Sequence, residues 1–119
     1  MSYTISPPEE TALQAHLHKL RTQLHEDPEL SWQEHRTTRL VRRELEALCL
    51  EPVPLGLPTG TAALLRGALP GPTVGLRADL DALPITERTG AEFSSRVPGV
   101  MHACGHDIHM AALLLSLIH

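Results

Sequence analysis

The sequence predicts an α/β fold, and three features carry that prediction. Two helical stretches with leucines at helical spacing open the chain. Two short β-like segments divided by "ALPGP" follow, and an apolar helical segment comes last. At 119 residues the chain fits one domain or part of one.

The first helix is expected from Pro7 to about Glu26. Ser6 is a plausible N-cap, prolines occupy the first helical positions, and Glu9 and Glu10 suit the first turn. Leu13, Leu17, Leu20 and Leu24 make one apolar stripe, and Pro28 ends or bends the run. A second helix is expected from "SWQEHRTTRLVRRELEALCL", with Ser31 and Glu34 as a capping box. Leu40, Val41, Leu45 and Leu48 face one way there. Arg36, Arg39, Arg42 and Arg43 read as a solvated face, because Glu44 and Glu46 interrupt them.

"EPVPLGLPTG" reads as a connection too broken for sheet or helix. "TAALLRG" and "TVGLRADLDALPI" then suggest a hairpin or neighbouring strands, the second ending in Asp79 and Asp81. A polar loop leads to "MHACGHDIHM". Asp107 could cap a final helix, "IHMAALLLSLI".

Composition narrows the function. With 3% aromatic residues and a formal charge of −4, the chain has little for base stacking and no cationic surface, so nucleic acid is not an expected partner. No apolar run approaches a membrane span, and the first ten residues do not resemble a signal peptide. Two cysteines in unlike settings, Cys49 and Cys104, read as reduced thiols of a cytoplasmic protein, with Cys49 as a small core residue.

The chemistry concentrates between His102 and His109. Cys104 and His106, separated by the flexible Gly105, are a thiolate and an imidazole, donors suited to zinc and other borderline ions. Asp107, His109 and His102 add possible ligands or supporting groups. In an extended strand Asp79 and Asp81 would share a face, where a carboxylate could hold a ligand histidine. His25 reads as structural, at a helix end that favours a cationic ring. His16, His18 and His35 read as solvated.

Three stretches together resemble a known family. "LRTQLHEDPELSWQEHRTT", "GLRADLDALPI" and "MHACGHDIHMAALL" are similar, in order, to the amino-terminal part of M20 metal-dependent amidohydrolases, in the branch with hippurate hydrolases and auxin–amino acid conjugate hydrolases. The resemblance implies a zinc-exopeptidase-like catalytic domain with two divalent ions (zinc, manganese, cobalt or nickel) and a separate lid domain. It implies Cys104 and His106 as metal ligands, the cysteine bridging, and Asp81 as a residue that orients a ligand. Asp79 stands where many relatives have a metal-binding histidine; Asp107 and His109 would support. The implied substrate is a small N-acyl amino acid or similar amide, its bond cleaved with a glutamate from a Glu-Glu pair as general base.

No Glu-Glu pair follows the cluster within these 119 residues; Glu9-Glu10 lies in the first helix. Residues 1–119 are therefore expected to be the amino-terminal portion of such a catalytic domain, with the lid absent. Alone the chain is expected to be inactive, needing the rest of the domain in cis or in trans; the expected protein partners are that missing carboxyl-terminal portion or a homo-oligomer. The alternatives are a non-catalytic metal-binding or interaction module, or a truncated gene remnant.

Overall fold

The computed structural model describes residues 4–117. In chain order it contains α1 (Pro7–Glu26), α2 (His35–Ala47), β1 (Glu51–Val53), β2 (Ala62–Leu64) and α3 (His106–Ser116). None of these helices is long and apolar enough to cross a membrane.

The first helix begins as its sequence dictates. The Glu9 carboxylate accepts from the Ser6 backbone N–H (2.9 Å) and from the Ser6 hydroxyl (2.5 Å), which closes the amino end. Its stripe is buried only in part: Leu20 and Leu24 enter the core, whereas Leu17 stays exposed.

The expected Ser31–Glu34 box does not form. Residues 30–33 form a turn closed by the Gln33 N–H on the Leu30 carbonyl, and Glu29 takes over the capping from outside it. Its carboxylate accepts the N–H groups of Arg36 (3.1 Å) and Thr37 (2.7 Å) and the Thr37 hydroxyl (2.9 Å). A buried carboxylate bonded to three donors in the first turn of a helix satisfies groups that would otherwise be orphaned. Arg36 in turn pairs with Asp27 at 2.7 Å, in keeping with a solvated basic face.

The core joins all three helices: Leu20 and Leu24 from α1, Val41 from α2, and Met110, Ala111 and Leu114 from α3. Leu40, Leu45, Ala78 and Leu80 pack against this cluster. Cys49 is not part of it. The residue is exposed with φ 55° just after α2, where the chain turns away from the core.

The strands differ most from expectation. β1 lies inside the Pro/Gly-rich stretch and pairs antiparallel with β2, Glu51 opposite Leu64 and Val53 opposite Ala62. Residues 73–81 carry no strand pairing; Leu69, Val74 and Leu76 are 85%, 77% and 67% exposed. The expected hairpin between "TAALLRG" and "TVGLRADLDALPI" is thus replaced by the β1–β2 pair. The chain exposes 8387 Å² where a compact 13.0 kDa monomer would expose roughly 6,300 Å². Its radius of gyration is 15.6 Å against about 13.5 Å for that length.

Pairing resumes at the site. Leu30 bridges Ala82 in parallel, and Leu83 bridges Met101 in antiparallel fashion. The Ala82 N–H donates to the Glu29 carbonyl (2.8 Å), and Leu83 and Met101 exchange backbone bonds of 2.9 and 3.0 Å. These bonds hold the segment after Asp81 between the end of α1 and the loop before α3.

Two stability outcomes follow. Glu29→Ala removes three accepted bonds and should cost about 2 kcal/mol, read as a lower urea midpoint at unchanged m value. Trp32 sits at φ 65° in the turn closed by the Gln33 N–H on the Leu30 carbonyl. Trp32→Gly should relieve left-handed strain and raise Tm by a few degrees, a net gain of about 0.5–1 kcal/mol.

Candidate metal centre

His106 opens α3. The preceding Gly105 has φ 84°, a conformation that suits glycine; a Cβ there would meet nothing nearer than the His109 ring at 4.0 Å, so the requirement is conformational. The turn aims the imidazole at Asp79 and Asp81. His106 Nδ1 donates to the Asp81 carbonyl at 2.8 Å, with Asp81 Oδ1 3.1 Å away. A proton held on Nδ1 leaves the Nε2 lone pair outward, 4.0 Å from Asp79 Oδ2. This is the arrangement of a metal-binding histidine whose far nitrogen is fixed by a second group. Asp81 thus has the geometry of an orienting residue, and Asp79 faces the same ring.

Asp79 is also bonded to Arg77, at 2.6 Å. That guanidinium, more than any other neighbour, lowers the Asp79 carboxyl below its ordinary range and keeps it anionic. His109 lies on the same side as His106, with ring centroids 6.0 Å apart, and is exposed. Cys104 is an exposed free thiol two residues before His106.

Asp107 and His102 turn the other way. Asp107 does not cap α3. It lies within the first turn, 1% exposed, and its Oδ2 accepts from Arg21 (3.0 Å) and faces His25 Nδ1 (2.8 Å). His25 Nε2 faces both oxygens of Glu87, at 3.1 and 3.2 Å. Each ring nitrogen of His25 thus faces a carboxylate, Asp107 on one side and Glu87 on the other. Phe93 closes the side, edge-on to His25, with the Arg21 guanidinium 4.3 Å from its ring. His102, buried beside His25, has neither ring nitrogen bonded, and burial lowers its basicity.

The donors fit a divalent ion in kind: a thiol, an imidazole in the right tautomer and carboxylates. They do not close a cage. Among the described residues no three His, Cys, Asp or Glu side chains converge on one point. Of the seven candidates, His106, Asp79 and Asp81 come together, His109 lies beside them, Cys104 is exposed two residues before His106, and Asp107 and His102 are buried.

Residues 75–119 match the model of peptidase family M20/M25/M40. The matched segment is M20-family sequence. Outside it the similarity continues: the chain is 53% identical over 97 residues to thermostable carboxypeptidase 1 of Saccharolobus solfataricus, covering 81% of this chain and 25% of that protein. It is 47% identical over 104 residues to an N-acetylcysteine deacetylase of Bacillus subtilis, covering 87% of this chain and 27% of that one. The fold superposes with a TM-score of 0.85 on the crystal structure of the Bacillus subtilis YXEP protein, a dinuclear metal-binding M20 peptidase. That likeness is at 46% identity over 88% of this chain and 30% of the other. The described α/β arrangement thus corresponds to the amino-terminal part of M20 structures, and the chain spans about a quarter of the length of the relatives it matches.

Sequence reasoning missed Arg21 and Glu87. Arg21 precedes His25 by one helical turn, a usable signal; Glu87 sits in a polar loop with none. Glu87 is the better probe of the buried cluster. Burial pushes its carboxyl upward, but the Ser95 N–H, the Thr89 hydroxyl and His25 outweigh that and bring it down to about 2. A carboxyl depressed in the fold contributes stability above its unfolded value, near 4.3, and loses it as pH falls toward 2. The urea midpoint should therefore drop between about pH 4.5 and 2, and less steeply in Glu87→Gln; equal slopes would remove Glu87 from the cluster's energetics. Asp107 shifts in the same direction, so some slope should remain.

Proposed function

We propose that the chain is the amino-terminal portion of an M20-type catalytic domain, from a metal-dependent amidohydrolase that cleaves N-acyl amino acids or related conjugates. His106 carries the proposal, with Nδ1 bonded to Asp81 and Nε2 left open beside Asp79. The relatives support it: the carboxypeptidase and the deacetylase are both named for hydrolysis of an amide at an amino acid.

In this reading Cys104 and His106 hold the divalent ion, which, when bound, supplies Lewis acidity toward the amide carbonyl and an acidified water. Asp81 keeps His106 in the tautomer that presents Nε2. Asp79, ionised but balanced by Arg77 on its Oδ1, leaves Oδ2 facing the His106 ring as a further oxygen donor. Asp107 works from behind, fixing the start of α3 against α1 so that His106 cannot rotate away.

The chain's own contribution ends at binding and orientation. Among the described residues no glutamate is hydrogen-bonded to His106, whose ring is held by Asp81. Two strong protein ligands hold a transition ion less tightly than four preorganised ones. The expected behaviour is weak, pH-dependent metal binding without hydrolysis unless the remaining catalytic residues are supplied.

Cobalt(II) titration tests this. A thiolate-to-cobalt charge-transfer band should grow with the intact chain and vanish in Cys104→Ala, while zinc measured after equilibrium dialysis falls at least tenfold in both Cys104→Ala and His106→Ala. Zinc retained equally by both variants would sink the assignment. Hydrolysis of N-acetyl amino acids should not exceed the Cys104→Ala control.

A further inference from the structure

The chain as a whole is anionic, with 10 Lys and Arg against 14 Asp and Glu, yet half of those cations line one cleft. The cleft lies between α1 and α2, holds about 650 Å³, and carries Arg36, Arg39, Arg42, Arg43 and Arg96. Three carboxylates, Glu26, Asp27 and Glu46, share the lining, so positive charge is in excess. Its volume is that of small-ligand sites, roughly 300–1,000 Å³.

Two of the arginines belong to the framework. Arg36 Nε is 2.7 Å from the Asp27 carboxylate. Arg96 is tied to Glu26 twice, its N–H to the carbonyl at 2.8 Å and its guanidinium to the carboxylate at 2.9 Å. These contacts join the end of α1 to α2 and to the loop after Ser95, so the walls are set before any ligand arrives. The other three arginines differ. Among the described residues Arg39, Arg42 and Arg43 form no ion pair, and all three are exposed. Like charges three and four residues apart on a helix repel, and Arg39 has that spacing from Arg36, Arg42 and Arg43. Solvation accounts for an exposed basic face on α2, but not for Arg96 joining it from a distant loop.

We infer that this cleft is a binding site for a small polyphosphate, a ligand with several phosphate groups in a row. The planar forks of arginine match phosphate oxygens two at a time, which lysine cannot do. A single monoanion would answer one guanidinium and still face three carboxylates. Linked phosphates bring enough charge to answer Arg39, Arg42 and Arg43 together. No aromatic residue lines the cleft, so nothing there stacks on a base. The recognised group is the phosphate chain itself, whether free or carried by a nucleotide. This site and the proposed use of His106 are independent, because His106 and its aspartates line a different cleft.

Isothermal titration calorimetry of the 119-residue chain tests the assignment, with tripolyphosphate, ATP, orthophosphate and hexaglutamate as ligands. EDTA is present, and salt is about 0.1 M, where distant charges are screened beyond about 10 Å. The expected result is one saturable site for tripolyphosphate, with a Kd at least about tenfold below that of orthophosphate. ATP should match tripolyphosphate within about threefold; a much tighter ATP would mean that the base is read, and would overturn the inference. So would hexaglutamate binding as tightly as tripolyphosphate, which would make the cleft a seat for an acidic protein segment. Arg39→Gln with Arg43→Gln should weaken tripolyphosphate at least about tenfold. Arg66→Gln with Arg88→Gln removes the same charge outside the cleft and should leave the Kd unchanged; equal weakening by both pairs leaves only a general charge effect and sinks the site. Protection from phenylglyoxal gives a second answer without any substitution. Tripolyphosphate should slow labelling of Arg39 and Arg43 but not of Arg88, read by peptide mass mapping, and equal labelling with and without it overturns the inference.

Discussion

The buried contact between Asp107 and the pair Arg21–His25 fixes the rest of the structure. Neighbouring residues on a helix point about 100° apart. Once Asp107 is drawn inward to α1, His106 must face outward to Asp81, and Met110, Ala111 and Leu114 must fall on the core side. A slip of α3 by one residue would leave the buried Asp107 carboxylate without Arg21 and His25, and would strip His25 of the partner at its Nδ1. Removing one member of such a set is among the costlier changes a fold can suffer. The register of His106 is therefore set by charges on the far side of α3.

Glu29 has a comparable role at the next junction. Its carboxylate starts α2 while its own carbonyl accepts from Ala82, so one residue links the second helix to the segment that carries the two aspartates. α1, α2 and residues 79–83 are thereby held in one frame. The chemistry sits on the outside of that frame, where Asp79, Cys104 and His109 remain exposed to whatever approaches.

What the sequence revealed follows the range of the forces involved. α1 was legible to both ends, because Ser6, Pro7, Glu9 and Pro28 act on their immediate neighbours. The nearness of Asp79 and Asp81 to the His/Cys segment was legible as a pattern of residue types and as a family likeness, but not which ring they would face. The start of α2 was not, since its cap comes from Glu29, outside the turn that the local Ser31–Glu34 pattern mimics. Asp107 looked like a local cap for the same reason; its true partners lie 82 and 86 residues away. β1 was missed because a strand of three residues with a central proline carries no alternation signal, and only its pairing with β2 defines it. Cys49 looked like a core residue by type, but the left-handed turn after α2 takes it outside.

The segment from Leu65 to Leu76 has a bearing on the life of the chain in a cell. It displays leucines and a valine on backbone without sheet partners, the kind of extended apolar stretch that chaperones grip and quality-control proteases sample. Covering these side chains would withdraw the stretch from such surveillance, whatever happens at His106.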